Sequence, residues 1–162
     1  MTTSSSDADQ RSFRVVTQAV QDFSFENPGF ANTSRKESDE VPEIAVNVNL
    51  RTGKMSENDD LFMASVTIKA KSTHAENPLF VLELTYNGVF EISGFEEEIR
   101  NQILNIQAPN MLFPFMRQII ANMTTSGSYP PLYIDPIDFA GLYFQKQEQA
   151  RQNANGEAKE SA

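Results

Sequence analysis

Carboxylates and a single histidine are the side chains of this sequence that could do chemistry. The acids Asp22, Glu26, Glu83 and Glu91 lie at even spacings within two apolar-patterned stretches, and His74 is the only imidazole. Two carboxylates held at a fixed separation in a cleft can act as acid and base, and an imidazole can titrate near neutral pH. His74 lies in the segment KSTHAENP without an evident partner. We therefore interpret it as a loop residue in solvent.

Most catalytic and metal sites need residue types that are scarce here. The 162 residues include no Cys and no Trp, and the formal net charge is -9. Thiolate chemistry, disulfides and multi-histidine metal sites are therefore excluded. The acidic balance argues against nucleic-acid binding, which depends on clustered Lys and Arg. No Gly-rich phosphate loop or EF-hand pattern is present. The composition predicts a binding protein without enzymatic activity, cofactor or metal.

The two ends of the chain differ from its middle. Residues 1–11 and 151–162 are polar and non-periodic, which is typical of flexible tails, and a single domain over residues 12–150 remains. Without those ends the chain still carries a net charge of about -8, so the acidity belongs to the folded body. No run approaches the roughly 20 apolar residues that span a bilayer, and the start lacks a signal peptide. We expect a soluble, cytoplasmic protein.

Four stretches alternate apolar and polar residues with a period of two, as strands with one buried and one wet face do. Their apolar positions are Phe13, Val15, Ala19, Phe23 and Phe25, then Ile44, Val46, Val48 and Leu50, then Phe62, Ala64, Val66, Ile68 and Ala70, and finally Phe80, Leu82, Leu84, Tyr86, Phe90 and Ile92. Gln18, Asp22 and Glu26 take the opposite parity of the first stretch, and Glu83 and Glu91 that of the fourth. The pattern predicts these carboxylates on the wet face.

A turn signal, Asn87-Gly88, interrupts the fourth stretch. Asn-Gly is a strong hairpin signal, but the apolar parity continues through it to Ile92. A hairpin here would leave a second strand of only about four residues, which is short. We predict one long strand in which Gly88 permits a kink or a close backbone approach.

After Ile92 the apolar period becomes helical. Ser93 with Glu96 fits a capping box, and Pro109 is predicted to end this helix because the residue before a proline disfavours helical geometry. Asn110 is then predicted to cap a second helix.

The second helix, which we expect Gly127 to close, is apolar on more sides than a surface helix of a small domain needs. Its residues 111–123 are either fully buried or part of a subunit interface. A last helix is predicted to open with Asp135, Pro136 and Asp138 at its cap, first and third positions. Strands followed by helices indicate an α+β fold with an antiparallel sheet.

The loop before the last helix is rich in aromatic residues, with Tyr129, Leu132 and Tyr133 in SYPPLYIDP. Exposed aromatics can line a groove for an extended polypeptide. They can equally fix the loop to the core, which is the commoner case. Both interpretations stay open at this stage.

Three blocks of the sequence resemble the SecB family of bacterial protein-export chaperones. They are QDFSFENP (21–28), FVLELTYNGVFEISG (80–94) and APNMLFPFMRQIIANMTTSGSYPPLYIDPIDFAGLY (108–143). The resemblance covers residues 13–146. It implies a four-stranded antiparallel sheet with helices packed on one side, assembling as a dimer of dimers. It also implies an ATP-independent chaperone without catalytic activity, which holds unfolded preproteins and passes them to the translocase ATPase SecA.

The resemblance also assigns roles to particular positions. SecA-docking contacts fall on Asp22, Glu26, Val81 and Glu83. Positions implicated in tetramer assembly fall on Leu82, Leu84 and Tyr86, and client-groove candidates are Phe30, Tyr129, Leu132, Tyr133 and Phe139. A tryptophan that some relatives carry in the crossover loop after the first strand is absent, with Glu40 or Val41 near its place.

Two other functions remain open on the sequence. One is a SecB-like adaptor or antitoxin-type chaperone that serves a single dedicated partner with the same fold. The other is an enzyme, which would need a cleft in which His74 meets a carboxylate.

Overall fold

The computed structural model describes residues 10–31, 41–55, 57 and 60–160. Four strands form one antiparallel sheet, namely β1 Ser12–Glu26, β2 Glu43–Lys54, β3 Leu61–His74 and β4 Asn77–Ser93. Their order across the sheet is β1-β4-β3-β2, and a 3₁₀ turn, Pro28–Ala31, follows β1. The predicted α+β fold with a four-stranded antiparallel sheet is confirmed.

The helices cover one face of this sheet. They are α1 Glu97–Gln102, a π-helical segment Ile103–Gln107, α2 Ala108–Ser126 and α3 Phe139–Glu160. Leu112, Met116 and Ile120 of α2 are completely buried and join one apolar core with the even-numbered residues of β3 and β4. Apart from the buried Leu79, the odd-numbered residues of those strands are left on the opposite, polar face.

β4 runs unbroken through Asn87-Gly88 for 17 residues, as predicted. A Cβ atom at Gly88 would lie 2.6 Å from Phe90 Cε2 and 2.8 Å from Leu112 Cδ2. Real Cβ contacts are not that short, so only glycine lets α2 and the Phe90 ring pack this closely on the strand.

β1 departs from the predicted alternation because it contains two bulges. Val16 and Gln21 are extra residues relative to β4, and each insertion reverses the side-chain parity. Between the bulges, Gln18 therefore lies opposite Gly88 on the helix-covered face, and Ala19 lies opposite Asn87 on the polar face. The assignment of these two residues from parity is wrong. Asp22 lies beyond the second bulge, where the predicted parity is restored.

β2 is an edge strand that the helices cover only in part. Val48 and Leu50 pack against the core, whereas Ile44 and Val46 are 47% and 42% exposed. All of them lie on the helix side of the sheet by register. The prediction of a buried face is therefore correct for only half of this strand.

The connection from β4 to α1 does not use the predicted capping box. Ser93 is the last residue of β4, and Glu96 occupies the N-cap position without a side-chain cap bond. Gly94 has a φ of +78°, a conformation that glycine adopts without steric cost. The strand therefore turns into the helix at Gly94.

Helical backbone continues from Glu97 to Ser126, so Pro109 does not end a helix and Asn110 does not cap one. In the π-helical segment the Ala108 N–H donates to the carbonyl of Ile103, five residues earlier. This wider turn changes the backbone hydrogen bonds just before Pro109, which has no N–H to donate. Pro109 itself lies in the first turn of α2. Gly127 closes α2, as predicted.

α3 begins later and ends later than the sequence predicts. Asp138 is its N-cap, since the Gly141 N–H donates to Asp138 Oδ1 over 3.0 Å, whereas Asp135 and Pro136 lie in the preceding loop. Residues 151–160 are helical rather than irregular, and all of them are exposed. Most of the predicted N-terminal tail lies outside the described residues.

Candidate docking and client-binding surfaces

The predicted docking residues come together on the polar face of the sheet, across the β1–β4 pair. Asp22 lies opposite Thr85, and Glu26 lies opposite Val81. Glu83 is therefore diagonal to both β1 acids, a relation that corresponds to about 7–8 Å between residues. Period-two alternation on two neighbouring strands is what gathers these side chains.

Basic residues lie beside these acids, on the next two strands. Lys69 of β3 is directly opposite Glu83, and its Nζ lies 3.6 Å from Glu83 Oε2. Lys71 is opposite Val81, and Arg51 of β2 is opposite Ser65. Sequence reasoning missed this arrangement, although the parity of β3 already places both lysines on the wet face. Around Glu83 the polar face is therefore divided by charge, with Asp22, Glu26 and Glu83 on β1 and β4 and Lys69, Lys71 and Arg51 on β3 and β2.

A trough of about 670 Å³ runs between the two groups. Its lining is Gln21, Asp22, Asn47, Asn49, Arg51, Ser65, Thr67, Lys69, Glu83 and Thr85. The hydroxyl oxygens of Thr67 and Thr85 are hydrogen-bonded at 2.9 Å and form part of its floor. We call this feature the polar trough.

The acids of the polar face differ in how far they are neutralised. Arg14 donates to both carboxylate oxygens of Glu91 over 2.9 and 3.3 Å, and this hydrogen bonding lowers the pKa of Glu91. Among the described residues, neither Asp22 nor Glu26 forms an ion pair. These two carboxylates, with Glu83 between them, are available to a partner.

The residues assigned to tetramer assembly lie on the opposite, helix-covered face. Leu82 and Leu84 are completely buried and Tyr86 is 6% exposed, because even-numbered residues of β4 face the helices of the same chain. Within this chain Leu82 and Leu84 therefore offer no surface for a direct subunit contact, and their role in assembly stays a prediction. Tyr86 stacks in parallel on Phe115, with ring centroids 6.4 Å apart, and Phe115 is 47% exposed.

Two of the aromatic groove candidates are structural. The Tyr129 hydroxyl donates to the Leu79 carbonyl over 2.9 Å and also bonds Asn27 Oδ1, which fixes the loop to the start of β4. Phe139 is 1% exposed as the first residue of α3. Both side chains are buried, which favours a structural role over client contact, and their assignment to the groove stays a prediction.

The other groove candidates are accessible. Phe30 and Tyr133 are 77% and 61% exposed, and Leu132 is half-buried against the core. The Arg117 guanidinium lies over the Tyr133 ring, 5.5 Å from its centroid. Both line a groove of about 770 Å³ with Phe113, Pro114, Gln118, Ala121, Asn122 and Pro136.

A second apolar surface was missed by sequence reasoning, which took it as buried. It consists of Ile44 and Val46 on β2, together with Val41, which is 86% exposed. The exposure accompanies the position of β2 at the edge of the sheet, which its own residues do not reveal. Glu40, the other residue near the place of the absent tryptophan, lies outside the described residues.

His74 ends β3 at the turn of the β3–β4 hairpin, opposite Asn77. Ala75 and Glu76 form this turn with positive φ angles of 47° and 67°. Across the described ranges, no group of three or more His, Asp and Glu side chains is placed to hold a metal ion. None of the helices within those ranges is both long and apolar enough to cross a membrane.

The same fold occurs in a solved SecB-like chaperone. The structure of that Mycobacterium tuberculosis chaperone, in complex with a peptide from the HigA1 antitoxin, aligns with a TM-score of 0.60. The alignment covers 80% of this chain and 92% of that one at 11% sequence identity, and it shows similarity of fold.

The sequence comparisons identify the family. The model for preprotein translocase subunit SecB matches residues 6–150. The protein-export protein SecB of Mesorhizobium japonicum is 47% identical over 137 residues, which are 85% of this chain and 80% of that protein. The corresponding protein of Parvibaculum lavamentivorans is 43% identical with the same coverage. The chain belongs to the SecB family.

Proposed function

We propose that this chain, a protein-export chaperone of the SecB family, holds unfolded preproteins in the cytoplasm without nucleotide and delivers them to SecA. The observation that carries the proposal is the separation of two surfaces. Carboxylates suited to a basic partner lie on one face of the sheet, and exposed apolar side chains lie at the helix side and the β2 edge. A client and a translocase can therefore bind at the same time.

The client surface combines the 770 Å³ groove at Tyr133 with the Ile44–Val46 edge. Each area is small and apolar, and β2 also presents an unpaired strand edge in the described sheet. Extended segments bind such surfaces through backbone hydrogen bonds and apolar side chains. Several weak sites on one long client raise the overall affinity without strict sequence specificity. Folded proteins bury the segments that these surfaces recognise.

The docking surface consists of Asp22, Glu26 and Glu83 around Val81. The acids are exposed or half-exposed, so their attraction to a basic element of SecA is screened by salt. Such contacts contribute more to association rate and specificity than to raw affinity. Val81 adds an apolar contact beside Glu26, two residues from Glu83.

Substitution of the central acid tests this assignment. Glu83→Lys is expected to abolish SecA association in calorimetry, because it reverses the charge between Asp22 and Glu26. Suppression of aggregation of an unfolded preprotein is expected to stay at the wild-type level. Glu148→Lys on the exposed part of α3 makes the same change of charge and serves as the control. Unchanged SecA affinity of the Glu83→Lys variant would overturn the docking assignment.

We also propose assembly as a homotetramer, a dimer of dimers. The supporting observation is an apolar area beside the Tyr86–Phe115 stack, where Val20 and Met111 are 44% and 42% exposed. Leu82 and Leu84 are buried in the core and do not form part of this exposed area. Phe115→Glu is expected to reduce the assembled mass in sedimentation velocity, with Phe144→Glu on α3 as an exposed aromatic control. A tetramer of unchanged stability on dilution would contradict this location.

An adaptor dedicated to a single partner is the second candidate. It is favoured by the fold similarity to the chaperone solved with an antitoxin peptide. A pull-down from cells in which one protein dominates would support it, whereas many different preproteins would support the general role.

A further inference from the structure

We propose that the polar trough selects a helix with a basic flank and an acidic flank, and that Lys69 and Lys71 supply this selectivity. The proposal deepens the docking function above and rests on the same face of the sheet. On a surface that bound only cationic partners, a row of basic side chains would weaken binding.

The charges in and beside the trough form two rows that run along the strands, with Glu26 and Lys71 just beyond its lining. The acidic row consists of Asp22 and Glu26 on β1 with Glu83 on β4. The basic row consists of Lys69 and Lys71 on β3 with Arg51 on β2. Thr67 and Thr85, whose hydroxyls are neutral, lie between the two rows. They belong to the line of paired residues that crosses the sheet from Asp22 on β1 to Asn49 on β2.

The width of the trough suits a helix. Four strands spaced about 4.8 Å apart span about 14 Å, and a helix with its side chains is about 10–12 Å wide. Side chains radiate around a helix, so its two flanks can meet both rows at once. An extended segment alternates its side chains toward and away from the face, so it presents only one row to the trough.

The existing ion pair does not oppose such docking. Lys69 Nζ and Glu83 Oε2 are 3.6 Å apart, and the two side chains are 61% and 43% exposed. Exposed pairs of this kind contribute little to stability. A basic residue of the partner can therefore pair with Glu83 in place of Lys69, provided that an acidic residue of the partner pairs with Lys69.

A wholly basic segment meets a different situation. It gains the acidic row but faces Lys69, Lys71 and Arg51, which are all exposed. Like charges placed together disfavour the wrong partner, which is a common source of specificity. The lysines therefore attract one type of partner and repel the other.

Two helical peptides of equal length test the proposal. The first carries Lys on one flank and Glu on the other, and the second has Gln in place of every Glu. At low salt the wild-type chain is expected to bind the Lys/Glu peptide about two- to fivefold more tightly. In the Lys69→Met/Lys71→Met variant, the affinity for the Lys/Glu peptide falls and that for the Lys/Gln peptide rises, so the preference disappears or reverses.

The control variant is Lys146→Met/Lys159→Met on α3, which removes the same charge from exposed positions outside the trough. It is expected to keep the wild-type preference. The proposal is overturned if the trough variant changes both affinities in the same direction and by the same factor, or if the wild type prefers the Lys/Gln peptide. Circular dichroism confirms that both variants are folded.

Failure of this proposal is distinguishable from failure of the proposed function. The peptides contain no SecA sequence, so their binding reports only on the trough. If Glu83→Lys abolishes SecA association but the peptides are not discriminated, docking holds and helix selection is wrong. If the two peptides bind with different affinities but Glu83→Lys leaves the SecA affinity unchanged, the trough binds a partner other than SecA.

Discussion

Arg14 and Glu91 lie opposite each other on β1 and β4, and the guanidinium donates to both carboxylate oxygens over 2.9 and 3.3 Å. The pair lies on the polar face of the sheet but outside the trough. Arg14 thus neutralises Glu91, the one acid of β4 that is not among the proposed docking residues.

This pair predicts a pH dependence of stability. Arg14 lowers the pKa of Glu91 in the folded state, so the contribution is present above the unfolded pKa and is lost as the pH falls through the folded one. Arg14→Met should therefore destabilise the chain at neutral pH, with a difference from wild type that shrinks between about pH 5 and 3. Urea unfolding across that range measures it. A difference that stays constant with pH would contradict the prediction, and Glu91→Gln should reproduce the same loss.

Substitution of Gly88 tests the close packing of α2 on β4. Gly88→Ala places a Cβ atom within 2.8 Å of Leu112 Cδ2, and overpacking of this kind costs about 1–3 kcal/mol. The free energy of unfolding in urea should fall by that amount. Gly53→Ala is the matched control, since a Cβ atom there meets nothing within 4 Å. Equal effects of the two substitutions would show that backbone propensity, and not packing, sets the result.

The two faces of β4 predict opposite results for neighbouring residues. Leu82→Ala removes a completely buried side chain and should lower the free energy of unfolding by about 2–5 kcal/mol. Val81→Ala, on the polar face, should change it by less than about 1 kcal/mol. Denaturant unfolding at a fixed protein concentration compares them. A Leu82→Ala variant that dissociates but keeps its unfolding free energy would support a direct interface role for Leu82.

Tyrosines of the α2–α3 loop separate structural from client-binding roles. Tyr129→Phe removes the hydroxyl that bonds the Leu79 carbonyl, and a buried acceptor left without its donor costs about 1–3 kcal/mol. Tyr133→Ala removes an exposed ring, so it should weaken client holding without a comparable loss of stability. Thermal unfolding and an aggregation-suppression assay measure the two effects. A Tyr129→Phe variant of wild-type stability would contradict the anchoring role.

Much of the sheet could be predicted because its periodicity is local. β4 alternates from Phe80 to Ile92, and this parity correctly outweighed the turn signal at Asn87-Gly88. β1 could be predicted only at its ends, because the bulges at Val16 and Gln21 follow from pairing with β4 and leave no local mark. Helix continuity through Pro109 also depends on the geometry of the preceding turn, which the sequence does not display.

The surfaces could be predicted in part for the same reason. Parity placed Asp22, Glu26 and Glu83 on one face, but their neighbours on β3 follow from strand order and register. Aromatic residues gave no such guidance, since Tyr129 and Tyr133 are four positions apart in one loop and only contacts distinguish the buried ring from the exposed one. Resemblance assigned roles to Leu82 and Leu84 without showing which way their side chains point.

The bulges of β1 also limit what can grow on the edge of this sheet. They divide the strand into regular runs of at most five residues, the longest being 22–26. Fibril-forming zippers are built from uninterrupted segments of about six or seven residues, and bulges are a common protection of exposed edges. At the β1 edge, a chain that binds unfolded polypeptides thus lacks an uninterrupted strand on which an amyloid-like ladder could be templated.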